Sequence, residues 1–172
     1  MEYQIEENVK YTVYPYEHPF DDACRIDLGC GKSYYIYKDH EPFLWVLANG
    51  GPFTEALIYH SNLVIGNYDN GIYIINLNDV KDKKDFRIRN IEIEGYFGYF
   101  VLDRDILYVL GMHNVYAYNP DLQLLWKSNS LSTDGVVFDS ITDKTMVLSC
   151  NYDPMEEWFT REISLTDGKV LI

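Results

Sequence analysis

The octapeptide IDLGCGKS, Ile26 to Ser33, holds the residue types that bind phosphate: glycines for a turn, a lysine and a serine. A phosphate-cradling P-loop needs a further glycine seven positions before that serine, and Ile26 stands there. The lysine must also open a helix whose N-terminal amides face the anion. Here it opens SYYIYK (33–38), dense in aromatic and β-branched residues that favour strands. The Gly-rich turn of a nucleotide-binding βαβ unit fares no better. Asp27, Gly29 and Gly31 fit it, but Ser33 takes its third small position, and WVLANGG (45–51) lies where the ribose-binding acid belongs. The spacing predicts a plain turn between two strands at Gly29 and Gly31, with Lys32 solvated beside it.

Other chemistry finds equally little support. His18, His40, His60 and His113 are scattered, with no HExxH and no cysteine at zinc-ligand spacing, so no metal site is expected. Nucleophilic catalysis would want a GxSxG elbow or a Cys–His pair, and neither is visible. Acid pairs occur at Asp21–Asp22, Asp103/Asp105 and Glu156–Glu157, but in so acidic a chain they read first as solvated faces. NYDNG (67–71) and NYDP (151–154) supply oxygen ligands without the length of a calcium loop, and Asn and Asp build turns unaided. No catalytic residue and no cofactor is expected.

One stretch combines residues suited to recognition. NYDPMEEWF (151–159) sets Tyr152, Met155, Trp158 and Phe159 among Asp153, Glu156 and Glu157. From Asp134 to Asp167 eight acids face only Lys144 and Arg161. Rings among acids suit docking to a basic protein patch, the rings as anchors and the charges for steering. The competing reading tucks Trp158 into the core beneath a longer loop. The expected partner-binding residues are Tyr152, Asp153, Met155, Glu156, Glu157 and Trp158.

The whole chain points the same way. It has 172 residues, a formal charge of −13 and 16 tyrosines. Such a field repels phosphate backbones and anionic membranes and attracts basic partners. MEYQIEENVK lacks the basic start and apolar run of a signal peptide, and no apolar stretch is long enough to span a bilayer. Cys24, Cys30 and Cys150 form an odd set without CxxC, which fits reduced thiols in the cytoplasm.

The elements that must carry these residues are short strands rich in Tyr, Ile, Val and Phe, bounded by Gly, Asn, Asp and Pro. They are expected at 9–14, 33–37, 43–48, 56–60, 63–66, 71–77, 86–90, 97–102 and 106–111. Others follow at 114–119, 122–127, 136–141, 145–150, 158–165 and 169–172. One-turn helices are expected at 20–24 and 154–158, and a bulge or break near Asn90, where the apolar parity switches. YEHPF (16–20) and KDHEPF (38–43) predict proline-held turns that place Phe20 and Phe43 inward.

The organisation is repetitive. LVIGNYDNGIYIINLND (63–79), LYVLGMHNVYAYNPD (107–121) and MVLSCNYDPMEEWFTREISLTDG (146–168) each run strand, polar turn, strand, closing turn. Aligned, they make Val64, Tyr108 and Val147 equivalent and buried, and likewise Ile74, Ala117 and Ile163. NVYAYNPDLQLLWKSN (114–129) resembles the quinoprotein-type blade of β-propellers, and the resemblance extends over about 56–172. It implies antiparallel four-stranded meanders, while the blades that surround a quinone cofactor are missing. The expected fold is one all-β domain, propeller-like or a curled sheet or sandwich. Its units are 56–93, 97–129 and 134–172, with a divergent one at 9–48.

A small, acidic, aromatic-rich domain of this kind has the physical profile of a bacterial immunity or antitoxin-type inhibitor, which occludes a basic toxin such as a nuclease. A propeller-like scaffold for another protein, or an enzyme acting on a small ligand in a central pocket, are the alternatives.

Overall fold

The computed structural model describes residues 2–6, 9–14, 24–69, 71–80, 87–152 and 157–172, and every regular element among them is a β-strand. None of the sheets closes into a barrel, and among the described residues no helix is long and apolar enough to cross a membrane. The chain divides into two compact units, residues 1–92 and 93–172.

The first unit opens with β1 (Glu2–Glu6), β2 (Val9–Tyr14), β3 (Cys24–Asp27), β4 (Gly31–Lys38) and β5 (Glu41–Asn49), ordered β1-β2-β4-β5-β3. The pairing of β3 with β5 is parallel, and the other pairings are antiparallel. Asp39 and His40 join β4 to β5 at φ 50° and 70°, the left-handed geometry of the tightest hairpin turns. Phe43 follows and packs against the core, as the KDHEPF pattern predicts; Phe20 and the turn at 16–20 lie outside the described residues. The second sheet is an up-and-down meander: β6 (Glu55–Tyr59), β7 (Asn62–Asn67), β8 (Gly71–Asn76) and β9 (Ile88–Ile91). Ile36, Leu44 and Val46 from the first sheet share one core with Leu63, Ile65 and Ile75 from the second.

The second unit repeats the meander with β10 (Phe97–Asp103), β11 (Ile106–Gly111), β12 (Val115–Tyr118) and β13 (Leu124–Lys127). A three-stranded sheet follows: β14 (Val136–Ile141), β15 (Thr145–Cys150) and β16 (Phe159–Ser164). The expected strand at 169–172 is reduced to a stub, bridging Ile163 to Val170, with the Leu171 amide donating to the Glu162 carbonyl at 2.8 Å. Tyr108, Leu110 and Ala117 from one sheet meet Met146, Leu148 and Ile163 from the other.

Sheet-to-sheet bonds in this unit join residues 38 or 39 positions apart. Tyr99 Oη accepts from the Phe138 amide, and Trp126 Nε1 donates to the Leu165 carbonyl at 2.8 Å. Arg104 binds Asp143 at 2.7 Å and the Thr142 carbonyl at 2.6 Å, while its Nε holds Asp103 at 2.8 Å. Consecutive meanders therefore stack in register, and Asp103 is part of the clasp that holds them.

Two sequence expectations need correction. Val64 pairs with Ile74 and Tyr108 with Ala117, but Ile163 faces Met146, not Val147. The third repeat is thus offset by one residue, which moves a side chain to the opposite face. Val147 lies opposite Glu162 on the outer face, and Met146 takes the buried place. The expected break near Asn90 is present: the β8–β9 ladder runs through Asn90 and ends at Ile91, where the strand stops. Cys24 opens a strand, and Glu157 and Trp158 are not helical. The remainder of those two expected helices, 20–23 and 154–156, is outside the described residues.

Candidate functional site

The glycines of IDLGCGKS have a structural purpose. β3 and β4 flank β5 on opposite sides, so the turn at 28–30 must cross the end of β5. It crosses in contact. The Leu28 amide donates to the Leu47 carbonyl and the Gly50 amide to the Cys30 carbonyl, both at 2.8 Å. A Cβ on Gly29 would strike the Asn49 side chain, and one on Gly31 would lie 2.9 Å from Gly50 Cα. Gly31 also has φ 111°, where only glycine is unstrained. The turn between two strands is as predicted, but Lys32 is not simply solvated. It is half-buried, donates to the Thr54 carbonyl and lies 5.6 Å from the Tyr34 ring centre. Tyr34 Oη donates to the same carbonyl at 2.8 Å, and burial, with Glu55 nearby, pushes its pKa up. Lysine and tyrosine serve a backbone acceptor, leaving no phosphate cradle.

In the second unit the segment from β13 to β14 and the loop from β15 to β16 reach the same end of the last sheet. Ser132, fully buried, ties them together. Its Oγ accepts from the Gly135 amide at 3.0 Å and the Asp134 amide at 3.1 Å, and donates to the Asn151 carbonyl. Thr133 Oγ1 donates to the Tyr152 carbonyl, and the Asn151 amide returns a bond to the Gly135 carbonyl at 3.2 Å. The His113 ring Nδ1 meets the Ser132 carbonyl at 3.0 Å, adding the β11–β12 turn to the assembly.

On this base stand the aromatic residues. Tyr152 stacks on Phe159 with ring centres 4.7 Å apart and planes 16° from parallel. Arg161 lies 4.9 Å from the Phe159 centre and donates to Tyr152 Oη at 3.1 Å. Tyr152 is 44 % exposed and Trp158 53 %, so Trp158 is not a core ring. Glu157 beside it is exposed. Tyr96, from the segment before β10, donates to the Asp134 carbonyl at 3.0 Å. Among the described residues, a Cβ built on the buried Gly135 would lie 3.4 Å from Tyr96 Oη and 3.9 Å from Trp158 Cη2. Of the six residues singled out by sequence, Tyr152, Glu157 and Trp158 are placed here; Asp153, Met155 and Glu156 lie outside the described residues.

Tyr96, Gly135, Phe159 and Arg161 escaped selection as site residues. Tyr96 is 38 positions from Asp134, and only the repeat period could have linked them. Cys150, at the root of the loop, is fully buried, and burial pushes its thiol up to about 11. Cys30, in the other turn, is exposed.

No protein-family model matches the chain, and no curated protein matches it. Among solved structures it is similar to two computationally designed proteins. The Ika4 protein superposes with a TM-score of 0.50 at 10 % identity, over 73 % of this chain and 74 % of that one. The Ika8 protein superposes with a TM-score of 0.54 at 9 % identity, over 98 % of this chain and 46 % of that one. This chain thus spans about half the length of the designed Ika8 chain. The likeness is one of fold alone.

Proposed function

We propose that this protein is a non-enzymatic, cytoplasmic protein-binding module, an acidic inhibitor of the immunity or antitoxin type that occludes a basic toxin such as a nuclease. Its meanders form one propeller-like or curled domain, and the 151–159 loop presents the contact. One observation carries the reading: two half-exposed rings, Tyr152 and Trp158, stand on a hydrogen-bonded base in the most acidic stretch of a −13 chain. Exposed rings that need no reordering bind at low entropic cost, and surrounding acids raise the on-rate for a basic partner.

The test starts from affinity capture in the source cells, followed by association kinetics with the captured protein. A basic partner is expected, and Glu157→Lys should slow association several-fold and flatten its salt dependence while leaving dissociation nearly unchanged. An acidic partner, or association indifferent to both salt and Glu157→Lys, would overturn the reading.

A further inference from the structure

Two asparagines of this chain, Asn49 and Asn70, are followed by glycine. An Asn–Gly pair carries its own reagent: the glycine nitrogen can close a five-membered ring on the asparagine side-chain carbon, and no Cβ hinders its approach. Asn70 lies outside the described residues. Asn49 is the last residue of β5 and stands opposite Gly31 in the β4–β5 ladder, so its backbone is extended. The groups that would have to move are all held. The Gly50 amide donates to the Cys30 carbonyl at 2.8 Å. The Asn49 amide donates to Asn67 Oδ1 at 3.0 Å, and Asn49 Nδ2 donates to Asp69 Oδ2 at 3.3 Å. Asn49 Oδ1 fills the space beside Gly29 that a Cβ would need, and Gly50 lies against Gly31. Gly50 is nonetheless exposed, so water reaches the pair.

We infer that Asn49 is a deamidation site whose rate is set by opening of the turn that crosses β5. In the reaction the Gly50 nitrogen gives up its proton to solvent base and bonds to Asn49 Cγ. The Cγ–Nδ2 bond breaks, and the amide nitrogen leaves as ammonia. Water then opens the cyclic imide at either carbonyl, giving aspartate or isoaspartate. The attack needs rotation about the last backbone bond of Asn49, which breaks the Gly50–Cys30 hydrogen bond, so the closed turn withholds the nucleophile. Local opening of a surface turn, short of global unfolding, releases it. The product does not fit back. A carboxylate at position 49 faces the Asp69 carboxylate where an N–H donor stood, and isoaspartate adds a backbone atom at the end of β5. The inference is independent of the docking reading above.

The test incubates the full chain in mildly alkaline buffer, native and in urea, and follows each asparagine by peptide mapping and mass spectrometry. In urea, Asn49 and Asn70 should convert ahead of every other asparagine. In the native chain Asn49 should convert at least about tenfold more slowly than in urea, the protection expected of a closed turn. Gly29→Ala pushes the Asn49 side chain out of its place and should speed native conversion at Asn49 several-fold. Its fold is checked by melting, and if it unfolds the wild-type comparison decides. The stable product is mimicked by Asn49→Asp, which should lower the melting temperature, and Asp69→Asn in that background should recover most of the loss by restoring a donor between the two side chains. Equal rates at Asn49 in the native chain and in urea would overturn the gate, as would a folded Gly29→Ala that converts no faster. Absence of conversion at Asn49 in urea would overturn the site itself.

Discussion

Two turns of this chain drew attention by their residue types and differ in use. Gly29–Gly31 carries glycines, a lysine and a serine in a spacing that suggests phosphate, yet every one of its special features serves packing. The glycines let the backbone cross the end of β5, and Lys32 is spent on the Thr54 carbonyl. The 151–159 loop has no catalytic spacing, yet it holds Tyr152 and Trp158 half in solvent on a base built by Ser132, Thr133 and Asn151. A polar group that already has a buried partner is structure; a large ring kept in water on a rigid base is offered to something else. What separates the two turns is where their side chains are committed, and residue types alone do not report that.

The comparison makes predictions that differ sharply in size. Gly31→Val should be the most damaging change, because a β-branched side chain meets both a φ of 111° and the Gly50 backbone. A loss of about 3 kcal/mol or more is expected in denaturant unfolding. A mild effect would mean that the turn does not cross β5 in contact. Next come the tryptophans. Trp126→Ala removes a ring packed on the core and its bond to Leu165, and should cost about 3 kcal/mol. Trp158→Ala should stay within about 0.5 kcal/mol. Lys32→Ala should cost about 1 kcal/mol by thermal melting, since Tyr34 still serves the Thr54 carbonyl.

The two cysteines extend the contrast to chemistry. Cys30 should alkylate rapidly in the native protein and Cys150 only on unfolding, as mass spectrometry of each thiol would show. The folded pKa of Cys150 is raised by burial from 9.0 to about 11, so it keeps its proton where the unfolded chain loses one. Its contribution is complete below pH 9 and declines as pH rises towards about 11. Stability should fall across that window, and the fall should shrink in Cys150→Ser.

Much of the fold was legible in the sequence. Runs such as LVIGN and ILYVLG, buried on both faces, gave strands and their order directly, because continuous apolar residues between turn signals have few other uses. β3 was implied only by the turn at Gly29 and Gly31 and not delimited, because CRID has two charges in four residues, and its parallel pairing with β5 depends on a crossing that no local pattern encodes. The third repeat was misaligned by one residue because the repeats were matched by their turns; the alternation of TMVLSC itself, with Met146, Leu148 and Cys150 on one face against Thr145, Val147 and Ser149 on the other, favours Met146, which lies opposite Ile163. At the site, composition identified the loop but not the exposure of Trp158, since a ring among acids can anchor a partner or fill a core. Tyr96 and Gly135 had no local signal at all. Tyr96 reaches Asp134, beside Gly135, only because successive meanders of this unit stack with a 38- to 39-residue offset.

The central claim is that Trp158 is held out for a partner and not for the fold. The direct measurement is the affinity of the captured partner for Trp158→Ala, taken with the melting temperature of the same variant. The account predicts faster dissociation, about 2 kcal/mol or more of lost binding, and an unchanged melting temperature. Unchanged affinity, or a sharp fall in melting temperature, would contradict it.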